Sequence, residues 1–175
     1  MTGGHMPAAR PLRVLFICTR NAARSQMAEA VLGRKGRERY IAASAGSHPA
    51  AAVHPLALRV LADHGLEWRG RPKGFDAVET EAWDFVITLC DRAREVCPAL
   101  PGNPVYAHWG IPDPAETEGS EERRRLAFDE ALGYISRRID LMLALPHAKM
   151  ARAALEHRMR EIGVERLESP DAVHG

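Results

Sequence analysis

The chain has 175 residues, 46% hydrophobic and 27% charged, with a formal net charge of +1. This length suits one well-buried core, the mix is that of a globular domain rather than a disordered or fibrous chain, and the near-zero charge gives no reason to expect nucleic-acid or anionic-membrane partners. The opening "MTGGHMPAARP" lacks the apolar stretch of a secretory signal, and apolar runs such as "LMLAL" are too short to cross a bilayer. A cytoplasmic protein is expected, in which Cys18, Cys90 and Cys97 stay reduced and open to catalysis or redox cycling.

Residues 1–11 read as an N-terminal tail. "RVLFIC" then reads as a buried strand, "SQMAEAVLGRKGRER" as a helix, "YIAASAG" as a second strand and "HPLALRVLADHG" as a helix closed by Gly65. "DFVITLC" and the weaker "NPVYAHW" add two strands; continuous apolar runs of this kind suit a parallel sheet covered on both faces. From Gly119 to Leu145 a long helical pattern puts Phe128, Leu132, Ile135, Ile139 and Met142 on one face. After Pro146 a last amphipathic pattern carries Ala148, Ala151, Leu155, Met159 and Ile162 on one side. The division expected is a body over 12–145 and a helical extension over 146–175, with the extension docking on the body because most amphipathic helices bury their apolar face that way.

In "LFICTRNAARS", Cys18 ends the first strand and a helix opens near Ser25. The carboxyl end of a central strand is where open α/β sheets bind ligands, and a loop curled into a helix N-terminus makes an anion cradle of backbone N–H groups. A lone cysteine there is more often a small buried hydrophobe. Holding a thiolate at neutral pH needs more than a helix end, which supplies only about 0.3–1 kcal/mol. Arg24 offers a bidentate charged fork for an oxyanion, and the Ser25 hydroxyl can donate to the sulfur. Neither G-x-x-x-x-G-K-[ST] nor G-x-G-x-x-G occurs, so no nucleotide is implied. Cys90 and Cys97, seven residues apart, lack the C-x-x-C spacing of zinc sites and have no histidine at ligand spacing. Asp113, ahead of Pro114, suits either a turn or a general acid. His48 and His54 suit capping and packing.

"VLFICTRNAARSQMAEA" resembles the phosphate loop of the low-molecular-weight protein tyrosine phosphatases and, more closely, of the arsenate reductases that share their fold. The similarity continues through "SAGSHPAAAVHPLALRVL", "DFVITLCDRAREVCP" and "HWGIPDPAE", and some of those reductases carry a tail like "LALPHAKMARAALEHRMREIG". The resemblance implies a three-layer α/β fold, with a four-stranded parallel sheet in order 2-1-3-4 and an extra C-terminal helix. It implies an oxyanion loop of Thr19, Arg20, Asn21, Ala22, Ala23 and Arg24, with Ser25 beside the nucleophile Cys18, Asp113 as acid, and Cys90 and Cys97 as a thiol relay. The relay would reduce arsenate to arsenite and be recharged by thioredoxin, or by glutaredoxin or a low-molecular-weight thiol, with no bound cofactor. Asn21, Glu29 and Ser44 match positions that hold potassium in some of these reductases. Arg20 replaces the Gly or His, and Ala22 the Ser, of many relatives, and Ala115 stands where the phosphatases continue into an aromatic. Two other readings remain open: a tyrosine phosphatase using Cys18, Arg24 and Asp113 only, and a non-catalytic sensor binding arsenite or an oxyanion through three thiols.

Overall fold

The computed structural model describes residues 10–165. The four apolar runs form parallel strands, β1 (Leu12–Cys18), β2 (Tyr40–Gly46), β3 (Phe85–Thr88) and β4 (Val105–His108), in the order β2-β1-β3-β4. Cys18 pairs with Gly46, Ile17 with Thr88, and Thr88 with His108. All four strands therefore end along one edge, with Cys18 on a central strand of it.

The pleat sorts side chains to opposite faces. Val14, Phe16 and Cys18 join the larger apolar cluster with α1 (Arg24–Gly36), α2 (Pro55–Asp63), α4 (Glu121–Leu143) and α5 (Arg152–Val164). Leu15 and Ile17 face a smaller cluster roofed by α3 (Asp91–Val96) and by the 3-10 turn Phe75–Ala77. The sheet is thus thickly covered on one side and thinly on the other, and the thin side carries Cys90 and Cys97 at the ends of α3.

The long helix is a single element whose expected stripe of Phe128, Leu132, Ile135, Ile139 and Met142 is buried, and Ser120 caps it by accepting from the Arg123 N–H at 3.1 Å. The first helix differs from expectation at its end. It stops at Gly36 and gives way to a 3-10 turn, Arg37–Arg39, before β2. The extension helix is also shorter than its pattern, because Ala148 and Ala151 precede it, but Met159 and Ile162 are buried in the main core. At the other end Arg10 makes two bonds to Asp84, at 2.8 and 3.0 Å. Residues 1–9 of the expected tail and 166–175 of the expected extension lie outside the described residues.

Candidate active site

The segment from Thr19 to Ala23 wraps around the end of β1. Its carbonyls at Thr19, Arg20 and Ala22 accept from His48, Ala50 and His54 N–H at 2.8, 2.9 and 2.8 Å, so the adjacent 48–54 segment holds the loop from outside. Among the described residues, the N–H groups of Arg20, Asn21, Ala22 and Ala23 donate to no backbone acceptor. Helix α1 then opens without a side-chain cap and without an acid in its first turn. These free donors and the helix N-terminus are what an oxyanion needs. Gly46 allows the close fit: a Cβ there would lie 2.6 Å from Thr19 O, 2.8 Å from Cys18 O and 2.9 Å from Asn21 N.

Cys18, 3% exposed, lies 2.8 Å from the Ser25 hydroxyl. A chain of bonds fixes which atom donates. Trp68 Nε1, a donor only, gives to Gln26 Oε1 at 2.8 Å, and Gln26 Nε2 gives to Asn21 Oδ1 at 3.0 Å. Asn21 Oδ1 also accepts from Lys73 N–H, so its Nδ2 faces Ser25 Oγ at 2.8 Å. Since Ser25 Oγ accepts from Asn21, its proton is left to donate to the sulfur. Asn21 sits at φ 50°, a left-handed conformation that asparagine tolerates better than most residues, and this turns its buried side chain away from the cleft.

Above the loop is a cleft of about 950 Å³. Arg24, first residue of α1, donates from Nη1 to Ile111 O at 2.9 Å, and its Nη2 is 3.6 Å from Asp113 Oδ2. Asp113 also accepts from Ala115 N–H at 3.0 Å, starting the 3-10 turn Pro114–Glu116. The turn expected of that aspartate is present, and its carboxylate also stands beside the arginine in the cleft. Cys90 lines the same cleft, with Thr19 Oγ1 3.4 Å from its sulfur, and the sulfur accepts from Ala93 N–H at 3.4 Å, capping α3.

Cys97 is not in the cleft wall. It stands at the other end of α3, bonded to Pro98 O, and burial pushes its thiol up from the ordinary cysteine range. The segment between the two thiols is a short helix that buries Ala93 and places Asp91 3.0 Å from His108 Nε2.

The family model for low molecular weight phosphotyrosine protein phosphatase matches residues 13–155. The chain belongs to that family. Among curated relatives of this phosphatase family, an arsenate reductase of Halalkalibacterium halodurans is 35% identical over 129 residues, 72% of this chain and 91% of that protein. Two solved structures align with this family member. A thioredoxin-dependent arsenate reductase of Corynebacterium glutamicum is 33% identical with a TM-score of 0.52, covering 77% of this chain and 64% of that one. An arsenate reductase of Archaeoglobus fulgidus is 31% identical with a TM-score of 0.57, covering 73% and 98%.

In this member of the phosphatase family Ala50, Ala52 and Ala115 are among the residues that line the cleft, as is the exposed Arg20. His54 also lines it, with Nδ1 accepting from Leu56 N–H; burial first, then nearby Arg124, lowers its pKa despite Asp113. His48 is exposed beside Ser47.

At the residues matched to a potassium site, a lysine side chain is already present. Both polar atoms of Asn21 are engaged, and the Lys73 ammonium stands 3.6 Å from Glu29 Oε1, a carboxylate that also faces Ser44. Burial raises the Glu29 pKa and Lys73 opposes it. Lys73, Gln26 and Trp68 were invisible as site residues in the sequence. The first and last lie in the stretch between Leu66 and Asp84, which has no apolar period, and Gln26 looks like any polar residue on an amphipathic helix.

Proposed function

We propose that the chain reduces arsenate to arsenite through three thiols. The observation that carries the reading is that Cys90 opens onto the same anion cradle as Cys18, while Cys97 lies one short helix away. In this scheme the Cys18 thiolate attacks arsenic(V), and one oxygen leaves as water with a proton from Asp113. The loop N–H groups and Arg24 hold the remaining oxygens. The Cys90 thiolate then attacks the Cys18 sulfur; a disulfide forms, the As–S electron pair stays on arsenic, and arsenite leaves. Cys97 attacks Cys90 and frees Cys18, so the two electrons come from the Cys90 and Cys97 thiols.

The last exchange has a geometric requirement. Seven residues at helical rise separate the two Cα atoms by roughly 10 Å, whereas a disulfide needs about 4.4–6.8 Å. Helix α3 must unwind, and a six-residue helix is marginal without tertiary support. Burial pushes the Cys97 thiol up from the ordinary cysteine range, and release of that support eases its ionisation to the attacking thiolate. We take thioredoxin as the reductant of the resulting disulfide and the cytoplasm as the compartment that supplies it.

The phosphatase reading leaves two thiols without work and has Ala115 where the phosphatases continue into an aromatic residue. Disulfide mapping after one equivalent of arsenate tests the relay. Cys97→Ser is expected to release one arsenite and accumulate a Cys18–Cys90 disulfide, whereas Cys90→Ser is expected to release none without an added thiol. Normal cycling of Cys97→Ser with thioredoxin sinks the three-thiol scheme in favour of a phosphatase or an externally resolved reductase.

A further inference from the structure

Arg138 stands within the apolar stripe of α4 and is only 4% exposed. A guanidinium in that setting needs partners for its donors. Nη1 donates to Gly110 O at 3.1 Å, and Nη2 donates to Gly163 O at 3.2 Å in the last turn of α5. One side chain therefore clamps the extension helix to the segment after β4. A second tie runs beside it, from Trp109 Nε1 to Met159 O at 2.9 Å.

Gly163 is fixed there by contact. A Cβ on it would collide with His108 O and stand 2.8 Å from Trp109 Cδ1, so α5 seats against the end of β4 only with glycine at that position. Gly163 itself forms part of the cleft wall. The clamped segment, Trp109 to Asp113, contains both groups that meet Arg24: Ile111 O at 2.9 Å and the Asp113 carboxylate at 3.6 Å.

We infer that α5 is a wall of the active site and that Arg138 is a positioning residue, acting through Gly110 O on the Ile111 carbonyl that anchors Arg24 and on the placement of Asp113. The inference rests on the reading of Asp113 as the acid of the first step. Loss of the clamp leaves the cradle intact and lets the acid loop drift, so it lowers the rate of the first step more than it weakens oxyanion binding.

The test uses the full chain. Arg138→Met is expected to slow single-turnover arsenate consumption by roughly 10- to 100-fold, the size of effect that follows loss of charge-assisted hydrogen bonds. The affinity for inorganic phosphate should change much less. In an Asp113→Asn background the same change should cost less than about twofold, since residues acting as a unit are not additive. An unchanged rate, or the same fold loss in both backgrounds, overturns the inference and leaves Arg138 a stabilising residue only. If Arg138→Met does not fold, Arg138→Lys and Trp109→Phe weaken the same tie more mildly. Each is expected to speed hydrogen exchange over 109–116 and to slow the first step, and native exchange with native rate in both overturns the proposal. Should the wild-type chain consume no arsenate, the function reading fails separately, and exchange over 109–116 in these variants still decides whether the clamp holds the acid loop.

Discussion

Replacing Gly46 with alanine puts one methyl group between the end of β2 and the oxyanion loop. The added Cβ would stand 2.6, 2.8 and 2.9 Å from backbone atoms of Thr19, Cys18 and Asn21 in turn, against 3.4 Å for ordinary contact, so the loop must retreat by 0.5–0.8 Å. Backbone cannot swing aside as a flexible side chain can. Overpacking of this kind costs about 1–3 kcal/mol, which for a chain of this size lowers Tm by roughly 2–4 °C per kcal/mol. The larger expected consequence is catalytic, because the atoms that move carry the proposed nucleophile and the proposed oxyanion donors. A misplacement approaching 1 Å costs on the order of 100-fold in rate. Thermal melts, phosphate binding by calorimetry and single-turnover kinetics on the same sample separate the two effects. Gly33→Ala serves as control, since nothing lies within 4 Å of its Cβ and the helix should gain stability. Gly46→Ala with wild-type phosphate affinity and first-step rate would falsify the account of the cradle.

The hydrogen-bond chain behind Cys18 should be separable into parts. Ser25→Ala removes the donor to the sulfur at 2.8 Å and is expected to slow turnover by roughly 10- to 100-fold with the fold intact, and an unchanged rate of Cys18 alkylation by iodoacetamide would show that the hydroxyl does not act on the thiolate. Trp68→Phe removes only the terminal donor, freeing the Gln26 and Asn21 amides to flip; a smaller loss, up to roughly tenfold, is expected in the same alkylation assay, and no loss would mean that Lys73 N–H alone sets the polarity. Stability should respond to pH through His147, whose ring packs edge-on against Tyr40 and Phe85 and donates from Nε2 to Met142 O. Burial lowers its pKa, with Arg39 adding to the effect and the Met142 bond opposing it. The unfolded chain therefore binds the proton first as pH falls through the ordinary histidine range, and stability contributed by the neutral ring is lost on acidification. The Tm gap between wild type and His147→Gln should narrow from pH 7.5 to 5.5, and parallel curves would contradict this.

The four strands and the long helices were legible because each buries a run or a stripe, and burial leaves a period in the chain. Cys18, Arg24 and Ser25 were legible because the thiol, the fork and the hydroxyl fall at a strand-to-helix junction. What escaped was set by contacts distant in sequence. Asp91–Val96 has no apolar stripe to mark it and is a helix because Ala93 packs under the sheet and Cys90 caps the first turn. Gln26 and Trp68 meet across 42 residues, a link no local period can announce. Arg138 breaks the polarity pattern of its own helix, and its reason lies in the backbone of two other segments.

The seating of α5 against β4 bears on how the protein comes into being at the ribosome. Synthesis proceeds at about 5–20 residues per second and domains fold from their N-terminal parts as these emerge. Cys18 leaves the tunnel early, long before Gly163, which lines the same cleft, and Arg138, which bonds to it. A nascent chain thus carries its proposed nucleophile for seconds with no fixed Trp109–Asp113 segment opposite it, and the thiol meets solutes from the surrounding fluid before the pocket is finished. Competence arrives late in translation, when the helix that seals β4 has been made.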